Sequence, residues 1–315
     1  MKEKQRLIID TDPGIDDALA ILLALAEDSI QLEGLSIVHG NCSTPQGTAN
    51  ALSILELAGA EDIPVYSGFE RPLVRDPLFA PETHGNTGLG YASLPLAKTA
   101  PRTEHAVDFI IKKILSAPGE ITLVAVGPLT NVAAAIRLEP GIINAVKQVI
   151  VMGGAIQHSG NTTPLAEFNV YADPHAAHMV FHAGMPLRLV PLDVTYQCIL
   201  TGQDVDQLQT IHSPISEFIA DATRFYMEFH DSYQGVKGCV INDPLALALV
   251  FQENLCEYQA LYVDVDLSMG VSTGNTFADF YNMKDKPPNM EVALKVRARD
   301  FITLYLKKIQ QMIER

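Results

Sequence analysis

The chain has 315 residues, 48% of them hydrophobic, enough to build a sizeable core within one large α/β domain. Its 37 acidic residues outnumber its 22 basic ones, for a formal net charge of −15. That balance excludes the basic surface that neutralises phosphates, so no nucleic-acid partner is expected, whereas a small divalent cation held by some of the acids is compatible with it.

Short apolar runs alternate with helical patterns along the chain. Residues 7–9 read as a buried strand that runs into an acidic turn, and residues 18–26, apolar and rich in helix formers, as the helix that follows. Strands are expected at 32–38, 64–66, 121–126, 146–152 and 187–190, and helices at 44–58, 104–115, 129–138 and 173–182. Residues 76–91, rich in proline and glycine, read as a long mobile loop of the kind that closes over an active site. From about 203 to 251 the pattern is mainly helical. Residues 258–265, 276–281 and 290–296 read as β-rich, and a last helix starts at Arg299. Strand, loop and helix repeated in this way predict a mostly parallel, mixed central sheet with helices on both faces, a Rossmann-like α/β fold. No linker, repeat or low-complexity tract interrupts it, so residues 1–315 are read as one domain with a helical subregion at 203–251.

The four cysteines, Cys42, Cys198, Cys239 and Cys256, form no Cys-x-x-Cys pair, which disfavours zinc-ribbon and redox motifs. No run of about 18 apolar residues is present, so no membrane span is expected. The charged opening segment does not read as a signal peptide. The expected location is a reducing cytoplasm.

In a sheet of this type ligands bind outside the carboxyl ends of the strands. The polar clusters of the sequence sit there: the turn after Ile9, Asn41 after Val38, and Gly153-Gly154 after Met152. The first carries four carboxylates within eight residues, Asp10, Asp12, Asp16 and Asp17. Packed together they repel one another unless a cation sits among them, and oxygen-only donors suit Ca²⁺ or Mg²⁺ rather than zinc. A single Asp before a helix would be read as its cap, but one cap needs one carboxylate. Haloacid-dehalogenase-like phosphatases also place an Asp-x-Asp pair after a first strand; there the second Asp is followed by Gly-Thr or similar, not by Pro13-Gly14-Ile15-Asp16-Asp17.

The run Asp10-Thr11-Asp12-Pro13-Gly14-Ile15-Asp16-Asp17-Ala18 resembles the N-terminal signature of the nucleoside hydrolases, the inosine-uridine preferring family. Further blocks match in the same order: Gly40-Asn41, Val126-Gly127-Pro128-Leu129-Thr130-Asn131, Met152-Gly153-Gly154, Gly160-Asn161, Glu167-Phe168-Asn169-Val170-Tyr171-Ala172-Asp173-Pro174 and Asp243-Pro244-Leu245-Ala246. The resemblance implies the homologous fold and Ca²⁺-dependent hydrolysis of the N-glycosidic bond of a ribonucleoside, in nucleoside catabolism or base salvage. It implies a homodimer or homotetramer. It implies metal ligation by Asp12, Asp17, the carbonyl of Val126 and Asp243, with Asp12 as the base that activates the attacking water. Asp16, Asn41, Met152, Asn161, Glu167 and Asn169 are then the substrate-binding set. On its own, Asp243-Pro244 would pass for a helix cap, as Asp173-Pro174 does.

The base end departs from the family. Its better-known members carry a His immediately before the late metal Asp, proposed to protonate the leaving base; here that position is Asn242, which cannot deliver a proton at neutral pH. Candidates to replace it are Tyr226, His230 and Tyr233, spaced to share one helix face, and His84, which matches a lid histidine of the family. The other histidines, His39, His105, His158, His175, His178, His182 and His212, read as surface or structural. Asn242 also keeps two alternatives open: a nucleoside- or ribose-binding protein that has lost catalysis, and a hydrolase of another ribosyl substrate.

Overall fold

The computed structural model describes residues 4–314; Arg315 and residues 1–3, part of the segment that carries the reading on a signal peptide, lie outside them. Strand β1 (Gln5–Thr11) is buried from Leu7 onward. Its successive side chains point to opposite faces: Leu7 and Ile9 enter one apolar cluster and Ile8 the other. The chain continues through α1 (Ile15–Ala26), β2 (Ile30–Ile37), α2 (Thr44–Leu57), β3 (Val65–Ser67), α3 (Pro81–His84) and α4 (Ala106–Ser116). Then come β4 (Ile121–Ala125), α5 (Thr130–Leu138), α6 (Ile142–Ala145), β5 (Gln148–Met152), α7 (Phe168–Ala172), α8 (Pro174–Phe181), β6 (Leu187–Val190) and α9 (Leu192–Thr195). The last third holds β7 (Ile199–Leu200), α10 (Gly202–Gln209), α11 (Pro214–Gln234), β8 (Cys239–Val240), α12 (Asn242–Ala248), β9 (Cys256–Leu261), β10 (Val263–Val265), β11 (Thr276–Ala278), β12 (Met290–Val296) and α13 (Ala298–Ile313).

The main sheet has eight strands in the order β3-β2-β1-β4-β5-β6-β12-β9. Every neighbouring pair is parallel except β12–β9. Helices α1, α2, α11, α12 and α13 bury their apolar sides in the cluster with Leu7 and Ile9, while α4, α5 and α8 bury theirs with Ile8. This is the mixed, mostly parallel sheet with helices on both faces that the pattern predicts. The strand order reverses between β1 and β4, and at such a reversal the loops leaving the two strands diverge and open a crevice.

Three stretches carry detail beyond the expectation. Residues 258–265, read as β-rich, divide between two strands: β9 pairs with β12 and β10 with β11, and the chain changes sheet at Tyr262. The loop at 76–91 contains a helical turn, α3, begun by Pro81. Its ends are anchored, with the Ala80 N–H on Asn41 O at 3.1 Å and Asn50 Nδ2 on Thr87 O at 2.8 Å. The helical subregion is interrupted by β8, which pairs with β7. All four cysteines are buried and unpaired. Among the described residues no helix is long and apolar enough to cross a membrane.

One side chain locks the strand ends together beneath the crevice. Asn131, in the first turn of α5, donates through Nδ2 to Asp10 Oδ1 at 2.9 Å, Ser36 Oγ at 3.2 Å and Ile37 O at 3.1 Å. Its Oδ1 accepts the Phe69 N–H at 2.9 Å. β1, β2, α5 and the segment after β3 therefore meet on one amide. Truncating it leaves the fully buried Asp10 carboxylate and a backbone N–H short of partners. Asn131→Ala should destabilise the protein by about 3 kcal/mol in urea denaturation; a loss below about 0.5 kcal/mol, typical of an uninvolved surface position, would contradict this role.

Candidate active site

The acidic turn leaves β1 at the strand-order reversal. Asp12 is fully buried, and its Oδ2 accepts the Asn41 N–H at 2.6 Å. The carboxylate lies in a slot between two backbones. A Cβ on Gly40 would collide with Asp12 Oδ2, and one on Gly127 would stand 2.6 Å from Oδ1. That close approach is why glycine follows both β2 and β4. Asp12 Oδ1 is buried and has no hydrogen-bond partner among the described residues.

Capping falls to Asp17 alone. Its Oδ2 accepts the Gly14 N–H at 3.0 Å and Asn41 Nδ2 at 2.8 Å, and its Oδ1 accepts the Thr11 hydroxyl. Asp16 Oδ2 instead accepts Asn242 Nδ2 at 3.0 Å and the Tyr226 hydroxyl at 3.3 Å. Asp243 sits in the first turn of α12 and caps nothing, unlike Asp173, whose Oδ1 takes the Ala176 N–H at 3.0 Å as the sequence suggests. Carboxylate oxygens of Asp16, Asp17 and Asp243 lie within 4.8 Å of one another. Asp12 is not part of that trio, so the structure places Asp16 beside the acids that the sequence assigns to a metal.

Burial pushes the Asp12 and Asp243 carboxyls far above the usual range, and like charge adds to it: Asp17 acts on Asp12, and Asp16, Asp17 and Asp12 act on Asp243. Asp16 and Asp17 are raised chiefly by burial too. Burial lifts Asp10 to about 7, but it faces Ser36 and Asn131, away from this cluster, as a support at the strand end. Clustered acids with an orphaned buried oxygen fit a hard divalent cation, which would remove both penalties.

The acids form the floor of a cleft of about 800 Å³. Asp16, Asn41, Val126, Met152, Asn242 and Asp243 reach its surface; Asp12 and Asp17 stand behind them, fully buried. Asn169 lies over the floor, with Nδ2 2.7 Å from Val126 O and 3.3 Å from Met152 O. Glu167 caps α7 through the Asn169 and Val170 N–H groups and also accepts the Gly154 N–H at 2.9 Å. Asn161, exposed in the loop above, takes the Phe168 N–H at 2.9 Å. All three line the cleft, and each already holds backbone in place.

The far wall brings together the four residues proposed for the leaving group. Tyr226 and His230 of α11 are buried, while Tyr233, one turn on, is 73% exposed and stacks on Phe229 at the rim. His84 is buried rather than free in a loop; its Nδ1 accepts the Ile15 N–H at 3.1 Å, a donor that the start of α1 leaves unsatisfied. A neutral His84 therefore carries its proton on Nε2. His230 has the opposite tautomer, because its Nδ1 donates to Tyr226 O at 2.8 Å and leaves Nε2 an acceptor. Asn242 must turn Nδ2 to the Asp16 carboxylate, so its Oδ1 is a buried acceptor without a partner among the described residues.

The sequence reading passed over two groups in the wall. His158, read as surface or structural, lines the cleft with its ring 4.7 Å from that of Tyr196, and Gln234 Nε2 donates to the Tyr196 hydroxyl at 3.0 Å. Both lie beyond carboxyl ends of strands, β5 and β6, the signal that could have flagged them. His39, beside the site in sequence, is bonded to the Thr130 hydroxyl at 3.0 Å instead.

Comparison with known proteins agrees with this geometry. The model of the inosine-uridine preferring nucleoside hydrolase family matches residues 7–303. The pyrimidine-specific ribonucleoside hydrolase RihB of Shigella flexneri is 36% identical over 295 residues, 93% of each chain. A purine-preferring ribonucleoside hydrolase from Gardnerella vaginalis superposes with a TM-score of 0.93 at 32% identity, covering 98% of this chain and 99% of the other. The plant nucleoside hydrolase PpNRh1 gives a TM-score of 0.93 at 35% identity, over 97% and 99%. The chain belongs to the inosine-uridine preferring nucleoside hydrolase family. It is a nucleoside hydrolase, an enzyme that hydrolyses N-glycosidic bonds.

Burial pushes His84 and His230 down to about 4, so both rings are uncharged at neutral pH. Neither histidine should then contribute a step near 6.5, the ordinary histidine value, to the pH profile of kcat/KM. A limb centred there that disappears in His84→Gln or His230→Gln would contradict the neutral assignment.

Proposed function

We propose that this chain hydrolyses ribonucleosides to free base and ribose, with Ca²⁺ at the acidic cluster and Asp12 as general base. The observation that carries the reading is the Asp12 carboxylate, fixed by the Asn41 N–H through one oxygen and left without a partner at the other. Asp12, Asp17, Asp243 and the Val126 carbonyl would hold the ion, with Asp16 at its edge. An all-oxygen donor set is the preference of Ca²⁺. Bound there, the ion supplies a charge that anchors sugar hydroxyls and makes water more acidic.

The chain's own groups supply the rest. As the water oxygen adds to C1′, Asp12 Oδ1 takes its proton, and the electron pair of the C1′–N bond leaves with the base. The sugar passes through an oxocarbenium-like state, as in glycoside hydrolysis. Asp16, Asn161, Glu167 and Asn169 orient the ribose hydroxyls, beside Asn41 and Met152. Glu167 retains lone pairs beyond its backbone partners, and Asn169 would exchange Val126 O for a hydroxyl once that carbonyl is engaged.

At the base end, the neutral His84 offers an Nε2–H donor and His230 an acceptor. Tyr226 keeps its phenolic proton, since burial holds it well above its usual value. Asn242 contributes an acceptor and no proton. Hydrogen bonding by neutral groups therefore assists departure of the base, with Tyr233 and Phe229 covering its faces. Two similar enzymes, RihB and the Gardnerella vaginalis protein, differ in base preference by their names, pyrimidine-specific and purine-preferring. A panel of inosine, uridine, cytidine, adenosine and guanosine resolves the preference here. The missing acid at Asn242 is the one feature that favours a nucleoside-binding protein; tight nucleoside binding with no ribose released in the presence of Ca²⁺ would establish that reading instead.

A homodimer or homotetramer in the cytoplasm completes the proposal. Met269, Val271, Tyr281 and Met283, each at least 84% exposed, offer apolar contacts for self-association, and the unpaired thiols suit a reducing compartment. Light scattering after size exclusion should give two or four chains per particle, and a single chain would refute self-association.

Asp12→Asn should lower kcat by about 10²–10⁴-fold, the usual contribution of a general base, with ribose affinity little changed. Near wild-type turnover by that variant would remove Asp12 from the role. Prolonged chelation should abolish activity and Ca²⁺ should restore it; activity that survives chelation would count against the metal.

A further inference from the structure

We propose that His178, His182 and Asp264 form a second metal site, separate from the acidic cleft, that takes Zn²⁺ and fastens the β10–β11 hairpin to α8. His178 lies in the last turn of α8 and His182 is its C-terminal cap residue, four positions on. Side chains four apart share a helix face, and the two rings stand 4.4 Å apart. Asp264, in the middle of β10, completes the triangle: its Oδ1 is 2.8 Å from His178 Nδ1 and 3.5 Å from His182 Nε2. The three donor atoms all lie within 4.8 Å of one another.

That spacing suits a tetrahedral ion. With metal–ligand bonds of about 2.0–2.1 Å, neighbouring ligand atoms sit roughly 3.3 Å apart, between the two observed nitrogen–oxygen distances. Two imidazoles and one carboxylate are a zinc donor set, whereas the all-oxygen cleft suits a hard cation, so the two sites discriminate by chemistry. The outer partners are in place as well. The Tyr262 hydroxyl donates to Asp264 Oδ2 at 3.0 Å, turning Oδ1 toward the histidines, and the Val265 N–H holds Oδ1 at 2.8 Å. Lys286 donates to Tyr262 at 2.8 Å; its charge opposes an incoming cation and the Asp264 carboxylate offsets it.

His182 and Asp264 are in forms that can ligate, and His178 would release to an incoming ion the Nδ1 proton it donates to Asp264. Burial, then the neighbouring His178, lowers the His182 value and keeps that ring neutral. Burial works upward on Asp264, yet hydrogen bonds from the Val265 N–H, His178 and Tyr262 hold it below the usual carboxylate range. The side chains of His178 and His182 are 36% and 29% exposed, so an ion can enter and water can take the fourth position.

The site has a reason to exist. Thr276 of β11 accepts the Ala155 N–H at 2.7 Å and donates to Ala155 O at 2.8 Å, next to the Gly154 amide that Glu167 holds. Clamping the hairpin to α8 steadies that turn from outside the cleft.

The test is calorimetric titration of Zn²⁺ into untagged protein kept saturated with Ca²⁺, with Co²⁺ absorption as a second readout. Wild type should bind one Zn²⁺ per chain, give the visible bands of four-coordinate cobalt, and unfold at a higher temperature once loaded. His182→Ala and Asp264→Asn should each lose that equivalent while circular dichroism and nucleoside hydrolysis stay as in wild type. Tyr262→Phe should bind about tenfold more weakly. A wild-type protein that takes up no Zn²⁺ in excess Ca²⁺, or variants that bind it as tightly as wild type, would overturn the proposal.

Discussion

Asp12, Asp16, Asp17 and Asp243 are buried side by side at the ends of a parallel sheet, and nearly everything else about the protein accommodates that fact. Two carboxylates 4.8 Å apart repel by roughly 3 kcal/mol at an effective dielectric of about 20. Removing each from water costs several kcal/mol more. Without a compensating cation the acids resist ionising: burial raises all four, and like charge adds to it at Asp12, Asp17 and Asp243. A divalent ion would turn the same arrangement from a liability into a site able to grip a polar sugar and polarise water.

The fold meets this demand with backbone and amides, not with basic side chains. The reversal of strand order between β1 and β4 opens the crevice. Gly40 and Gly127 let two backbones close on Asp12. Asn41 bonds Asp12 and Asp17, Asn131 gathers Asp10 with β2, and Asn242 ties Asp16 to α12. Amides suit the task because each offers donors to a carboxylate without a fixed charge that would repel a cation. Across the cleft the same restraint holds: His84 and His230 are uncharged and locked in opposite tautomers by backbone partners.

Much of this was legible in the chain itself. Apolar runs ending at polar clusters marked the strand ends, and the concentration of acids after Ile9 marked the acidic cluster, because local composition is what one strand and one turn depend on. What depends on distant partners was not. The change of sheet at Tyr262 is invisible in residues 258–265, whose alternation is the same whichever strand they pair with. His84 reads as a loop residue until its Nδ1 is seen to meet the start of α1, and which of the clustered acids caps that helix, Asp17, appears only from its contact with the Gly14 N–H. Asn41 reads as a substrate-binding group, and its bracing of two carboxylates shows only in the fold. His158 and Tyr196 meet only when the loops after β5 and β6 fold over the cleft. His178 and His182 mean little until Asp264 arrives from β10.

The two ends of the cleft thus differ in how tightly they are specified. On the proposed reading the end that takes the sugar is dictated by buried charge, whereas the end that takes the base consists of neutral groups, which demand no particular nucleobase. Titrating Ca²⁺ into chelator-stripped protein asks most directly whether a cation organises the charged end. One Ca²⁺ should bind per chain, with an unfolding temperature that climbs as the ion is added. No heat of binding, together with an unfolding temperature indifferent to Ca²⁺, would contradict it.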